Sequence, residues 1–238
     1  MPERVEDLQL RGLRILRHTA LPGYTTDAVL LADFAQPKAG SHVFDLGTGL
    51  GILPLLMIGR QGNLRITGIE LQPALAELAR RSVLLNKLGQ QIDVVNADLR
   101  DCKALYPSGC CDMVVSSPPY HADDGQGGMH SHQQQCTYRD VIDAAQHLLR
   151  RRGRLCLCFP PAQLLQVADA LRSADLEPKR VQMCASLPSR SPWLCLLEAM
   201  KNAKPGLRFE PQLVMLEAPG VPGEQMQAIY GCGEEGTA

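Results

Sequence analysis

His42-Val43-Phe44-Asp45-Leu46-Gly47-Thr48-Gly49-Leu50-Gly51-Ile52-Leu53-Pro54-Leu55-Leu56-Met57-Ile58 decides how this chain folds. Residues 42–46 are a short strand-like run. Residues 52–58 are apolar and, with the residues after them, long enough for a buried helix. Between them lies G-x-G-x-G, entered from Asp45. Glycines let the backbone pass close to a ligand, and the helix N-terminus offers free amides. Such a spacing is common, so its surroundings decide its meaning. Residues 65–70 read as the next strand, and it ends on Glu70, 19 residues after Gly51, where an acid can bind two ribose hydroxyls. Residues 92–95 read as a third strand, followed by Asn96-Ala97-Asp98, whose carboxylate can accept from an adenine amino group. Three acids at the carboxyl ends of successive strands converge on the crevice where open α/β sheets bind ligands. Asp45 would repel a pyrophosphate. It would not repel a ligand carrying a sulfonium and an α-ammonium.

Outward from this loop the alternation continues. Helical spacing marks residues 25–35, 73–88, 138–149 and 162–171, with Pro73 in a first turn and Gly89 as a stop. Strands are expected at 113–115 and 155–159. Two late strands, 181–185 and 193–199, have no room for a long helix between them. This order predicts a mostly parallel sheet covered on both faces, with an antiparallel edge. Residues 121–136 are rich in Gly, His and Gln and read as a long loop.

The fourth strand runs into Val114-Val115-Ser116-Ser117-Pro118-Pro119-Tyr120. Two prolines stiffen the chain and cannot continue a ladder. They would hold the carbonyl of Ser117 or Pro118 free in the crevice, and Tyr120 can stack on a flat base. An exocyclic amine is a poor nucleophile because its lone pair is delocalised into the ring. Acceptors on its two hydrogens favour the pyramidal nitrogen as charge grows on it.

Bulk properties narrow the class. The 238 residues suffice for one large α/β domain, and 45% hydrophobic with 21% charged residues is ordinary for a globular chain. No run of eighteen apolar residues marks a membrane span, and the amphipathic N-terminus carries acids, unlike a secretory signal, so a cytoplasmic protein is expected. Nine cysteines, an odd number, match no common zinc spacing. Reduced thiols are expected, with Cys156 and Cys158 packing as small hydrophobes and no metal site. Net charge is −1, yet residues 179–208 carry six basic side chains (Lys179, Arg180, Arg190, Lys201, Lys204, Arg208) against Glu198, while 209–238 carry five acids and no Lys or Arg. That stretch is a candidate phosphate-contacting face.

With these residues placed, the chain resembles the class I methyltransferases that modify amino groups, whose signature is Asp, Asn or Ser followed by Pro-Pro and an aromatic. It is similar, more closely, to the bacterial valine-tRNA adenine-N6 methyltransferases, which act beside the anticodon. The likeness covers roughly residues 5 to 230. It includes 26–31 (TDAVLL), 51–56 (GILPLL), 68–73 (GIELQP), 176–180 (LEPKR), 198–199 (EA) and 204–207 (KPGL). It departs in two places: Ser117 stands where the family usually has Asn, and Ser131-His132-Gln133 stands where an Arg-His-Glu cluster is usual, so that only His132 carries over.

The resemblance implies a Rossmann-like class I methyltransferase fold: a mostly parallel seven-stranded sheet with an antiparallel edge strand and helices on both faces. It implies one domain, with a helical, cofactor-covering segment over 1–40, a catalytic core over 41–218 and a tail over 219–238. The implied cofactor is S-adenosyl-L-methionine and the implied partner an RNA, tRNA first. Cofactor contacts are expected from Tyr24, Thr26, Asp27, Asp45, Gly47, Gly49, Gly51, Glu70, Leu71, Asp98, Leu99 and Ser116. Tyr24, Thr26 and Asp27 would sit at its methionine end. Catalytic roles are expected for Ser117, Pro118, Pro119 and Tyr120. Other amino targets stay open: an rRNA or DNA base, guanine-N2, cytosine-N4 or a protein glutamine. Release-factor-type glutamine enzymes usually carry a helical domain ahead of the loop, and a loop starting at residue 45 leaves no space for one. A non-catalytic cofactor- or RNA-binding module is the alternative of another class. Oligomeric state is left open.

Overall fold

Residues 3–18, expected to be helical, are instead a β-hairpin. The computed structural model describes residues 3–117 and 136–230. Strands β1 (Glu3–Asp7) and β2 (Arg14–His18) pair antiparallel. The turn between them uses left-handed backbone at Gln9, Arg11 and Gly12. Tertiary docking decides this segment. The Leu16 amide donates to Ser82 Oγ (3.0 Å) and the Arg14 amide to Asn86 Oδ1 (2.9 Å). Leu10 and Leu13 close on Gly59, where a Cβ would come within 2.5 Å of Leu10 Cδ2. A side chain at residue 59 would force Leu10 and Leu13 to shift.

The alternating elements come next. Helix α1 spans Thr26–Ala35, β3 His42–Leu46, α2 Ile52–Arg60, β4 Arg65–Glu70, α3 Pro73–Leu85 and β5 Ile92–Asn96. A 3₁₀ turn at Leu99–Asp101 leads into the short α4 (Cys102–Leu105) and β6 (Cys111–Ser116). Then come α5 (Tyr138–Leu148), β7 (Leu149–Phe159), α6 (Leu164–Ser173), β8 (Leu176–Ala185) and β9 (Leu194–Lys201). The long strands order as β8-β9-β7-β6-β3-β4-β5. Strands β7, β6, β3, β4 and β5 run parallel to one another, and β9 is antiparallel to both β7 and β8. The connection from β8 to β9 is too short for a crossover, so the two pair as neighbours. Two short strands, β10 (Arg208–Phe209) and β11 (Leu213–Val214), add to β8 and close that end. A small pair, β12 (Leu216–Ala218) and β13 (Val221–Pro222), precedes α7 (Glu224–Ile229). The tail is therefore partly folded back: Met226 and Ile229 are buried, and Arg60 Nη2 donates to the Ile229 carbonyl (3.0 Å).

Two apolar layers sandwich the sheet. Helices α1, α2 and α3 pack on one face with Val43, Ile66, Met113 and Val115. Helices α5 and α6 pack on the other with Phe44, Val114, Leu155 and Leu157. Central strands buried on both faces need near-continuous apolar sequence, which β3, β6 and the second half of β7 have. Three boundaries differ from expectation by three residues or more. Helix α3 stops at Leu85 because Lys87 is left-handed (φ 58°). Strand β7 begins at Leu149, which pairs with Cys111; the exposed Arg150–Arg152 segment then bulges, with Arg152 left-handed (φ 62°), before Arg154 pairs with Met113. Strand β8 begins at Leu176, and its register shifts between Pro178 and Arg180, where proline cannot donate.

Part of the basic stretch expected to face phosphate is engaged within the fold, while Arg190, Lys204 and Arg208 stay exposed. Arg180 and Arg154 both pair with the buried Glu198 (3.3 and 2.8 Å). Arg180 also stacks on the Phe34 ring at 4.0 Å and donates to the Phe34 carbonyl at the end of α1. Lys201 donates to the Gln146 and Leu149 carbonyls at the end of α5, Lys179 to the Lys204 carbonyl, and Arg208 pairs with Glu210. Cations at helix C-termini are favourable placements. Removing one member of a buried pair leaves its partners uncompensated, at a cost of about 3–5 kcal/mol. Glu198→Ala is thus expected to lower the melting temperature by roughly 6–20 °C, read by thermal denaturation. A drop under about 2 °C would mean that water compensates both arginines.

Candidate active site

A crevice of about 1130 Å³ opens along the carboxyl ends of β3 to β7. Small-molecule sites usually run to roughly 300–1,000 Å³, so there is room for a cofactor and part of a second group. Its lining includes Tyr24, Gly47, Gly49, Glu70, Leu71, Asp98, Leu99 and Ser117. The structure therefore brings these eight predicted residues together. Thr26, Asp27, Asp45, Gly51 and Ser116 do not line it. Pro118, Pro119, Tyr120 and His132 lie outside the described residues.

The loop is shaped by backbone that side chains resist. Gly47 (φ 81°) and Gly49 (φ 57°) are left-handed and open to the crevice, with nothing within 4 Å of a Cβ at either. Gly51 caps α2 and is also left-handed. Behind the loop Asp45 is fully buried, and neither carboxylate oxygen finds a hydrogen-bond partner among the described residues. Burial raises its carboxyl to about 7, Glu70 nearby adds to this, and the Thr48 hydroxyl relieves it only in part. Thr48 Oγ1 is itself buried and without a hydrogen-bond partner among the described residues. Its side chain fits because residue 68 is glycine: a Cβ there would come within 2.9 Å of it.

Glu70 ends β4 as expected, with a second task. Its Oε2 accepts from the Gly49 amide (2.9 Å) and its Oε1 from the Gln72 amide (2.8 Å). It ties the glycine loop to the start of α3 and keeps a lone pair on each oxygen. Asn96, missed in the sequence, braces this corner by donating to the Glu70 carbonyl (2.8 Å). Asp98 departs further from expectation. It caps the 3₁₀ turn through the Arg100 amide (2.9 Å), and both its oxygens are held by the Arg100 guanidinium, which keeps its carboxyl below the ordinary range. Water screens an exposed pair of this kind, so an incoming amine can compete with it. An Asp-x-Arg spacing was the only signal in the sequence.

Tyr24 reaches the crevice because the hairpin holds it. Its hydroxyl donates to Glu6 Oε2 (3.3 Å), which also accepts from Arg17, and the Arg17 guanidinium lies 5.6 Å from the ring centroid. Thr26 and Asp27 sit one turn away on α1. Asp27 is half-buried, and that burial raises its carboxyl, while Thr25 and Ala28 line the crevice instead. Ser116 is fully buried and donates to the Leu46 carbonyl (2.6 Å), pinning β6 to β3 below the floor. Ser117, the next residue, is at the crevice. Tyr138 and Arg139 at the start of α5, and Phe159 at the end of β7, were not expected; Tyr138 and Phe159 line the far wall.

The methyltransferase small domain profile matches residues 25–173, the loop, all three acids and the Ser117 strand included. The chain belongs to the methyltransferase small domain family. This methyltransferase is 32% identical over 184 residues to a Porphyromonas gingivalis protein named tRNA1(Val) (adenine(37)-N6)-methyltransferase, covering 73% of this chain and 72% of that one. A Bacteroides fragilis protein of the same name is 26% identical over 172 residues, covering 70% and 72%. A solved structure from Agrobacterium tumefaciens, described as a predicted O-methyltransferase, superposes with a TM-score of 0.72 over 86% of this chain and 95% of that one, at 22% identity. That likeness shows the class I methyltransferase fold. No helix among the described residues is long and apolar enough to cross a membrane.

The residues of the methyltransferase fit S-adenosylmethionine on their own chemistry. The orphaned Asp45 carboxylate calls for a ligand that brings donors or positive charge, the glycine cradle admits backbone-close atoms, and Glu70 retains lone pairs for hydroxyls.

Proposed function

We propose that this methyltransferase transfers a methyl group from S-adenosylmethionine to N6 of an adenine in tRNA. The observation that carries the reading is Ser117, which stands at the end of β6 in the same crevice as the glycine loop, Glu70 and Asp98. The name shared by the relatives supports adenine as the base and valine tRNA as the first substrate to try.

When bound, S-adenosylmethionine supplies an electrophilic methyl group. The chain supplies placement. Asp45 would answer the positive charge of the cofactor through the loop Gly47 to Gly51. Glu70 would accept from its ribose hydroxyls, and Asp98 from its adenine amine, with Arg100 giving way on one oxygen. Leu71 and Leu99 would frame the adenine, and Tyr24 would stand at the methionine end, with Thr26 and Asp27 outside the lining. Ser116 holds the floor. Ser117 Oγ and the Pro118 carbonyl accept from the target amine, Pro119 stiffens the turn and Tyr120 stacks on the base; these last roles rest on sequence. The base must leave its stack to enter. No strong base is needed, because the methylated amine loses its proton readily, and in-line positioning supplies much of the rate.

Unmodified total tRNA incubated with labelled S-adenosylmethionine, digested and read by nucleoside mass spectrometry, tests this. N6-methyladenosine is the expected product. Another methylated nucleoside would keep fold and cofactor and move the target base. No labelled nucleoside, with cofactor binding intact, would end the RNA reading.

A further inference from the structure

Ser117 replaces an amide by a hydroxyl, and a hydroxyl turns freely. An asparagine oxygen is fixed as an acceptor by its planar amide, whereas a serine oxygen has one donor and two lone pairs that rotate together. Something must fix the rotor if Ser117 is to present a lone pair to an amine. The structure supplies a donor. Cys158 Sγ lies 3.3 Å from Ser117 Oγ, with the thiol donating. Cys158 sits on β7, one residue past Leu157, which pairs in register with Ser116. The thiol is fully buried among its neighbours and lines the crevice. Strand β9 holds it from the other side through the Leu196 pairing. The two serines are thus anchored in opposite directions, Ser116 to β3 and Ser117 to β7. Cys156, two residues earlier and also fully buried, is outside the crevice lining and keeps the small-hydrophobe role.

We propose that Cys158 is a positioning residue: its thiol donates to Ser117 Oγ and so holds that oxygen as an acceptor for the amine to be methylated. The proposal rests on Ser117 having that acceptor role. A single net hydrogen bond of about 1 kcal/mol corresponds to roughly 5- to 10-fold in rate.

The test measures kcat and KM on tRNA for Cys158→Ala, Cys158→Ser, Ser117→Ala and the Cys158→Ala/Ser117→Ala double variant. Cys158→Ala is expected to lower kcat about 5- to 10-fold with the cofactor KM unchanged. Cys158→Ser, which keeps a donor, is expected to recover to within about twofold. In the Ser117→Ala background Cys158→Ala is expected to add nothing, since coupled residues are not additive. Equal losses in both backgrounds, an unchanged Cys158→Ala, or no recovery in Cys158→Ser would overturn the proposal. Infrared difference spectra of the thiol S–H stretch provide a reading that needs neither turnover nor a truncated side chain at residue 158. The band removed by Cys158→Ser is expected to shift towards a free thiol in Ser117→Ala. A band that stays in place overturns the proposal even if the wild-type enzyme proves inactive on tRNA, an outcome that would count separately against the proposed function.

Discussion

Asp45→Asn is expected to weaken S-adenosylmethionine binding about 100-fold and to make the ligand-free protein more stable. Both effects have one cause. The carboxyl is fully buried with no hydrogen-bond partner among the described residues, and that burial raises it to about 7. An unfolded Asp titrates near 3.8. Between about pH 4 and 7 the folded state therefore holds a proton that the unfolded state has lost. Stability falls as pH rises through that window, by up to roughly 4 kcal/mol. Asparagine has no such titration, so its stability profile is expected to be flatter and, at pH 8, higher by about 2 kcal/mol, or roughly 4–8 °C. A ligand bringing positive charge favours the ionised carboxyl and expels the proton on binding. Wild-type affinity is thus expected to rise about tenfold from pH 5.5 to 7 and then level off, while Asp45→Asn shows no such rise. Isothermal titration and thermal denaturation across pH measure both. Affinity in the variant within threefold of wild type at pH 8 would remove Asp45 from the cofactor site. A less stable variant would instead mean that the carboxylate finds compensation in the fold.

The second large effect falls on turnover alone. Ser117→Ala is expected to lower kcat about 100-fold, the lower end of what losing one group aimed at transition-state charge costs. Cofactor affinity should stay within twofold, because the proposed cofactor contacts lie at the ends of β3, β4 and β5 and at Tyr24, and the floor is pinned by Ser116 instead. Single-turnover rates with saturating tRNA, set beside cofactor titration, separate the two. An unchanged rate would assign the amine to the backbone carbonyl without help from the side chain. A parallel fall in cofactor affinity would make Ser117 part of the floor.

Much of this protein is legible in its residues alone. Strands β3 and β4 fall on the expected residues, because a buried parallel strand needs mostly apolar or small residues and the glycines and Glu70 mark the ends. The crevice comes from the same logic, since acids at successive strand ends of one sheet must converge. Seven of the eight predicted residues that line it do so for that reason, Tyr24 being the exception.

Tertiary structure decided what local pattern cannot encode. Residues 3–18 alternate too irregularly to choose a conformation alone, and Ser82, Asn86 and Gly59, far away in sequence, make them a hairpin that carries Tyr24 to the site. Composition counted Arg180, Lys201 and Arg208 as free cations, and only the folded chain brings Glu198, the α5 carbonyls and Glu210 against them. Asp98 looked free until the 3₁₀ turn folded Arg100 back onto it. Sequence by itself determined the order of elements and the chemistry at the strand ends, because both depend on residues close together in the chain. Partnership between side chains depends on strands that meet only after crossovers, as β6 meets β7 where Cys158 reaches Ser117, and that was settled by the tertiary fold.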